Sequence, residues 1–285
     1  MQLYLFKSYK KRTNTLRVIC YFFLTFAALL CLIPIWMLFV NATRSTPEIQ
    51  SGVSLFPSKY LFANYRILVA QGINIGRATY NSFFIAILST VIGVYISIMT
   101  AYGIIVYNFK GNQFIRRFII VLVMVPTQTS IIGFYQYMAN LHLLNSYIPL
   151  IIPAAAAAGT VFFALQYLDS VIIKDLINAA RIDGCGEFTI FNRIMVPIAT
   201  PGIFTLAIFG FVGSWNNFFT PFMLISKIDK YTLPMMVQSL RGATYKTELG
   251  AIYLGLAISL LPVVVFYLIF AKYIVSGISM GAVKE

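Results

Sequence analysis

Six long runs without charge constrain this chain more than any other feature. They fall at about 18–40, 78–106, 118–138, 146–168, 200–223 and 250–271. A helix rises ~1.5 Å per residue, so roughly 20 apolar residues cross a ~30 Å hydrocarbon core. With 60% of 285 residues hydrophobic and 10% charged, the chain lacks the polar cover of a soluble domain. The expected fold is therefore an all-α integral membrane protein: six transmembrane helices forming one domain over 1–285. The first run follows Lys7, Lys10, Lys11, Arg12 and Arg17, the charge pattern of a signal peptide. It is too long for a signal core and no small-residue cleavage site follows, so a retained anchor is expected. Cys20, Cys31 and Cys185 fit neither a disulfide framework nor a metal site.

The net charge of +13 raises the question of nucleic acid. Basic residues of membrane proteins collect on the cytoplasmic side, which accounts for the charge without a nucleic-acid partner. Placing the N-terminus inside puts most of the Lys and Arg on inner segments. The short loop "FKGNQFIRR" (109–117) supports this most directly. Both termini are then cytoplasmic.

Three connections stand out. The outer loop at about 41–76 carries Pro47, Gly52 and Pro57 as breakers, and Phe56, Tyr60, Phe62 and Tyr65 for the interface. A second outer loop covers about 224–249. The inner loop at about 169–199 is the most patterned. Taken as a helix from Asp169 to Asp183, it places Lys174, Asn178 and Arg181 on one polar stripe. Ile172, Ile173, Leu176, Ile177 and Ala180 share the other side. Asp169 and Ser170 offer capping chemistry at its start, and Gly184 suits the left-handed position that ends it. A second helical segment, "EFTIFNRIMV", lines up Phe188, Phe191 and Met195 before Pro197 introduces the fifth span. The pattern fits two readings: a hairpin that caps the bundle, or a hairpin received by a partner's cleft. Within the fourth span, "PAAAAAGT" (153–160) is expected to be a close-packing face.

The chemistry narrows the class. No span core contains Asp, Glu, Lys, Arg or His, whereas ion-driven carriers keep such groups for coupling. His142 lies in a short outer link and reads as an interface residue. No Gly-Lys dipeptide occurs, so the chain has no phosphate-binding Walker loop. The acids Glu48, Asp169, Asp175, Asp183, Glu187, Asp229, Glu248 and Glu285 are scattered through loops and tail. Asp183 and Glu187 are four apart, but across the Gly184 break. This argues against a membrane-embedded enzyme, and no catalytic or metal residues are expected. Polar residues within spans are few. Ser82, Ser89, Ser97 and Thr100 lie in the second span, Gln128 follows Pro126 in the third, and Asn216 and Asn217 flank the fifth with Trp215. Gln128, Asn216 and Asn217 are candidates for a translocation path, and helix packing is the competing use for such groups.

The inner loop resembles the signature of ABC importer permeases: E-A-A, three residues, G, nine residues, I-x-L-P. Here it reads Asn178-Ala179-Ala180, then Gly184, then Ile194-Met195-Val196-Pro197, with "RIDG" at 181–184. Asn178 replaces the usual Glu, which removes a charge but leaves a hydrogen-bonding amide. Val196 replaces the usual Leu. "TAYGIIVYNFKGNQFIRRFIIVLVMVP" (100–126), "SWNNFFTPFMLI" (214–225) and "YIVSGISMGAVKE" (273–285) resemble carbohydrate importer permeases, so the likeness runs from about residue 56 onward. It points to the carbohydrate-uptake type 1 group, and within it to the six-span G-type permease of maltose-like importers. The resemblance implies a type I importer architecture in a bacterial or archaeal cytoplasmic membrane. It implies a second, different permease, two copies of an ABC ATPase carrying ATP and Mg, and an external solute-binding protein. No cofactor is expected on this chain. ATPase coupling would fall to Lys174, Asn178, Ala179, Ala180, Arg181, Asp183, Gly184 and Pro197. Contact with the binding protein would fall to Gln238, Arg241, Tyr245 and Lys246, and "SMGAVKE" would touch the ATPase. The alternatives are a carrier or channel for a small polar solute without an ATPase, and a permease for a phosphate ester or peptide.

Overall fold

The computed structural model describes residues 2–70, 74–241 and 248–282, with side chains described for 17–70, 74–126, 128–239 and 248–270. Every regular element among these is helical. In order they are α1 (Gln2–Ala42), α2 (Thr46–Gln50), α3 (Leu61–Ala70), α4 (Ile75–Val106), α5 (Asn112–Met124), α6 (Ile131–Asn140), α7 (Ile148–Ile151), α8 (Ala158–Val171), α9 (Lys174–Ile182) and α10 (Glu187–Ile190). A π-turn over Phe191–Met195 leads into α11 (Val196–Ile198), α12 (Thr200–Asn216), α13 (Phe219–Leu224), α14 (Leu233–Arg241) and α15 (Leu249–Ala282).

Four stretches are single helices or near-continuous runs long and apolar enough to cross a bilayer: Arg17–Ala42, Ile75–Val106, Ile148–Val171 and Leu249–Phe270. Two further candidates are bent pairs, Asn112–Met124 with Gln128–Asn140 (79°) and Glu187–Ile198 with Thr200–Asn216 (81°). Counting each pair as one span gives six. The continuous third span expected at 118–138 is therefore broken. Val125 is extended (ψ 119°) ahead of Pro126, as the ring of a proline demands of the residue before it. The fifth span expected at 200–223 is also interrupted. Asn217 (ψ 106°) separates α12 from α13.

The chain divides into two compact units. One contains residues 1–71 and 240–257. There Ser45 and Glu48 form a reciprocal capping box at the start of α2, so Pro47 begins a helix instead of breaking one. Arg44 is buried, and its guanidinium donates to Asn41 Oδ1 (3.1 Å) and to the carbonyls of Gly52 (3.0 Å) and Glu48. Asn64 Nδ2 donates to the carbonyls of Ala42 and Arg44, both at 2.9 Å. Thr46 Oγ1 donates to Glu248 Oε2 (3.0 Å) and accepts from the amide of Leu249 (3.0 Å).

The other unit contains 72–239 and 258–285. Its core forms around α4, with α8 and α12 against it. Gly93 of α4 lies so close to the chain that an added Cβ would meet Ala154 O at 3.0 Å, so the "PAAAAAGT" stretch is a close-packing face. Phe211 and Phe266 stack at 4.0 Å, and Trp215 Nε1 donates to Ser259 O (3.1 Å), which ties α12 to α15. Ion pairs and amide clasps hold the ends. Arg116 meets Asp169 at 3.0 Å. Asn145, left-handed at φ 59°, accepts through Oδ1 from the amides of Ser226 (2.8 Å) and Lys227 (3.0 Å).

Candidate functional site

The 169–199 connection differs from its expected form at its start. The chain leaves α8 through Ile172 and Ile173, both extended (ψ 122° and 102°), and a separate nine-residue helix begins at Lys174. A run of three β-branched residues, Val171 to Ile173, disfavours helix, and the chain turns there. Asp169 and Ser170 are thus the end of α8, not the cap of α9. Asp169 pairs with Arg116, and Ser170 Oγ donates to Tyr167 O (2.7 Å).

The end of α9 follows the expected rule. Gly184 has φ +78°. The Cys185 amide donates to Ala180 O (3.0 Å) and the Gly184 amide to Arg181 O (3.0 Å), the paired bonds of a Schellman cap. An added Cβ at Gly184 would meet nothing within 4 Å. The requirement for glycine is therefore one of backbone conformation alone. Gly184→Val is expected to destabilise the hairpin by about 1–2 kcal/mol, the cost of a side chain in the left-handed region. Hydrogen exchange at the Cys185 amide would rise accordingly, whereas unchanged protection would refute the cap.

Beyond the turn, α10 passes into the π-turn, where the Val196 amide bonds to Phe191 O. This wide turn changes the register. Ile190, Phe191 and Met195 are buried, and Phe188, expected on their face, is 69% exposed. Phe191 packs against Tyr95 (5.6 Å) and Tyr102 (5.4 Å) of α4. From α9 only Ile177 and Ala180 are buried. Ile173, Leu176 and Ile182 are exposed, as is Ala179.

One polar cluster fastens this hairpin to the end of α4. Arg181 Nε and Nη2 donate to Glu187 Oε1 (2.7 Å) and Oε2 (3.3 Å). Tyr107 and Tyr102 hydroxyls also donate to Glu187 Oε2, at 2.5 and 3.4 Å. The Arg181 guanidinium lies 5.5 Å from the centre of the Tyr107 ring, within cation–π range. Asn178 Oδ1 accepts from Arg181 Nη1 at 3.4 Å. The bonds from Arg181, then from Tyr107, hold the Glu187 carboxyl below its ordinary value. The same carboxylate raises Arg181. Burial, then the bond to Glu187, pushes the Tyr107 phenol up, so it remains a donor.

Of the residues expected to couple, Lys174, Asn178, Ala179, Asp183 and Pro197 are exposed, Arg181 is held by Glu187, and Ala180 faces inward. Glu187, Tyr102 and Tyr107 were not legible as site residues. The Arg181–Glu187 spacing of six crosses a glycine turn and matches no helical period, and Tyr107 lies 80 residues upstream.

The other expected sites are dispersed. Gln238 is half-buried in α14; Arg241 ends that helix; Tyr245 and Lys246 lie outside the described residues. The segment before α14 is held by α4. Asn81 Nδ2 donates to the carbonyls of Asp229 (3.1 Å) and Tyr231 (3.0 Å), and Ser82 Oγ accepts from the Leu233 amide (2.8 Å). Gln128 sits in an exposed 3-10 turn over Thr127–Ser130. Asn216 is exposed at the end of α12, and Asn217 Oδ1 accepts from the Thr220 amide (3.3 Å). Of these three, only Asn217 borders the open-sided cavity of about 300 Å³ between α4, α8, α12 and the 150–157 stretch. Among the described residues, no cluster of three His, Cys, Asp or Glu could hold a metal.

The fold and this site define a helical multi-span membrane protein with one polar helix–turn–helix connection braced on a long central span. The chain belongs to the binding-protein-dependent transport system inner membrane component family, which matches residues 93–280 and so includes the whole hairpin. It is 32% identical over 271 residues to the arabinooligosaccharides transport system permease AraQ of Bacillus subtilis, covering 94% of this chain and 96% of that one. It is 31% identical over 262 residues to the trehalose/maltose permease MalG of Thermococcus litoralis, covering 90% and 93%. A solved bacterial ABC transporter that imports the acidic polysaccharide alginate shares the fold, with TM-score 0.72, 21% identity and 91% and 96% coverage. The resemblance seen in the loop signature therefore holds. The chain is a membrane permease subunit of an ABC import system, and its relatives are transport subunits, not enzymes.

Proposed function

We propose that this chain is one of two different permeases of an ATP-driven importer for an oligosaccharide, forming half of the translocation path. In this reading the 169–199 hairpin is cytoplasmic, both termini are inside, and α9 docks into a separate ATPase that binds ATP and Mg. Two ATPase copies and an external binding protein complete the assembly. The observation that carries the reading is the state of α9. Its buried Ile177 and Ala180 join an apolar cluster with residues of α4 and of the rest of the hairpin, while Leu176, Ala179 and Ile182 remain uncovered at intervals of three, with Ile173 exposed just ahead of them. Such an apolar row is the form in which a helix enters a partner's groove. The bracing below it makes the helix a stiff lever, and rigid-body motion at one face can rock spans around a central path. Sugar as solute is supported by relatives whose names specify arabinooligosaccharides, diacetylchitobiose, trehalose and maltose. Gln238 and Arg241 near the end of α14 remain the proposed contact with the binding protein.

Ala179→Cys tests the docking. In the complex purified with its natural partners, a short thiol crosslinker is expected to join the introduced thiol to the ATPase. Inverted membrane vesicles loaded with binding protein should then show ATP-dependent movement of arabino-oligosaccharide, maltose or trehalose. Uptake that proceeds without ATP or any ATPase, with no crosslink, would establish the carrier reading instead. Ala180 is unsuitable for the crosslink because it is buried.

A further inference from the structure

α4 runs for 32 residues, about 48 Å, which exceeds the ~30 Å hydrocarbon core. Its C-terminal end meets the 169–199 hairpin through Tyr107, and its N-terminal end carries Arg77, Asn81 and Ser82. The two ends therefore stand on opposite sides of the membrane. At the N-terminal end the connection from α13 to α14 forms a knuckle. Ser226, Lys227, Ile228 and Asp229 are exposed there, between buried Ile225 and the buried Thr232 and Leu233 at the start of α14. A single residue, Asn145, holds one side of this knuckle. Its amide donates to Leu224 O (2.9 Å), and its carbonyl accepts from Lys230 Nζ (2.6 Å). Its Oδ1 accepts from the Ser226 amide (2.8 Å), the Ser226 hydroxyl (3.1 Å) and the Lys227 amide (3.0 Å). The other side is fixed by Arg77, which pairs with Asp229 at 3.4 Å, and by the bonds from Asn81. Behind the knuckle, Leu224 and Ile225 are buried with Met138 of α6 and Met235 of α14.

We propose that Asn145 is a positioning residue for transport: it holds the 226–229 knuckle, together with α14, as a preformed face for the external solute-binding protein. The inference rests on the importer reading above, in which the end of α4 opposite the hairpin is outside. A connecting loop with an exposed, charged tip is ordinarily mobile. Here Asn145 adopts the left-handed conformation (φ 59°) that asparagine enters more readily than most residues, and one oxygen satisfies two successive backbone amides. Ordering the loop before the encounter removes an entropy cost that binding would otherwise carry. Ile228, 54% exposed, is flanked by exposed Lys227 and Asp229. An apolar centre with a charged rim is the makeup of a protein interface. Acyl chains are a poor occupant, because the neighbouring ammonium and carboxylate would lose their water.

The test is ATPase stimulation of the intact complex in nanodiscs, titrated with its natural binding protein loaded with maltose, trehalose or arabinotriose. Asn145→Gly keeps the left-handed turn and removes the Oδ1 acceptor. It should raise the KM for binding protein severalfold with kcat nearly unchanged. Asn145→Asp keeps both the turn and the acceptor and should behave like wild type. A purely structural asparagine predicts a lower melting temperature or a lower kcat in the glycine variant with KM unmoved. That result overturns the proposal while the importer reading stands, as does a KM for Asn145→Asp as high as that of the glycine variant. Should Asn145→Gly fail to assemble, Ile228→Asp decides, since it places its charge on an exposed side chain. It should raise the same KM severalfold, and an unchanged KM overturns the proposal. A wild-type complex that its binding protein does not stimulate overturns the importer reading and the positioning role together.

Discussion

Gly202→Ala is expected to destabilise the contact between α8 and α12 strongly. Gly202 lies in the first turn of α12, and a Cβ built there would collide with both Cδ1 and Cε1 of Tyr167 on α8. These atoms belong to the body of a ring, not to the end of a flexible side chain, so relief requires α8 and α12 to separate or Tyr167 to leave its place. Overpacking of this kind costs about 1–3 kcal/mol, and more where the backbone must move. The contact also lies just beyond the 81° bend that joins the hairpin to α12, so displacement there would change the angle at which the lever meets its span. The expected result is a lower melting temperature for the purified complex and a loss of uptake larger than the loss of ATPase binding. Gly202→Ala combined with Tyr167→Ala removes the obstruction and should recover much of the stability. If the single variant melts like the parent, the α8–α12 contact is wrong.

Glu187→Ala is expected to separate ATP hydrolysis from uptake. Glu187 is the point at which α9, through Arg181, and α4, through Tyr107 and Tyr102, are tied to one carboxylate. Without it α9 keeps its Schellman cap and its exposed apolar row, so docking survives, but the lever loses its polar grip on the central span. ATPase activity stimulated by the binding protein should persist while uptake falls severalfold. Exchanging the pair, Arg181→Glu with Glu187→Arg, should restore part of the uptake, because the tyrosine hydroxyls can accept from a guanidinium. Equal loss of hydrolysis and uptake would show that Glu187 merely supports the fold. The pH dependence follows from the same contacts. The folded Glu187 value lies below the ordinary one, so its stabilising effect is complete above the ordinary carboxylate value. It is lost as pH falls through the depressed folded value. Coupling should therefore be flat through the neutral range, and wild type and Glu187→Gln should converge only in acid.

This cluster also bears on the departure at Asn178. The family signature places Glu there, whereas this chain has an amide that accepts from Arg181. The acid that engages Arg181 comes instead from Glu187, on the far side of the glycine turn. α9 thus leaves exposed an apolar row and its Lys174 end, with Arg181 occupied from within its own hairpin.

What the sequence determined by itself is whatever depends on neighbours a few residues apart. Uninterrupted apolar runs must become helices long enough for a bilayer, because backbone polar groups in lipid can be satisfied only within the segment. Asn178 to Gly184 must turn through a left-handed residue, because glycine adopts that conformation without strain. The tertiary structure decided what joins positions far apart. It turned Phe188 outward through a π-turn, left Thr90 unpaired beside a break in the fourth span, and brought Tyr107 to Glu187 across 80 residues. Periodicity reports which face of one helix is apolar. It carries no information about which distant residue will stand opposite, since that is set only when the helices pack.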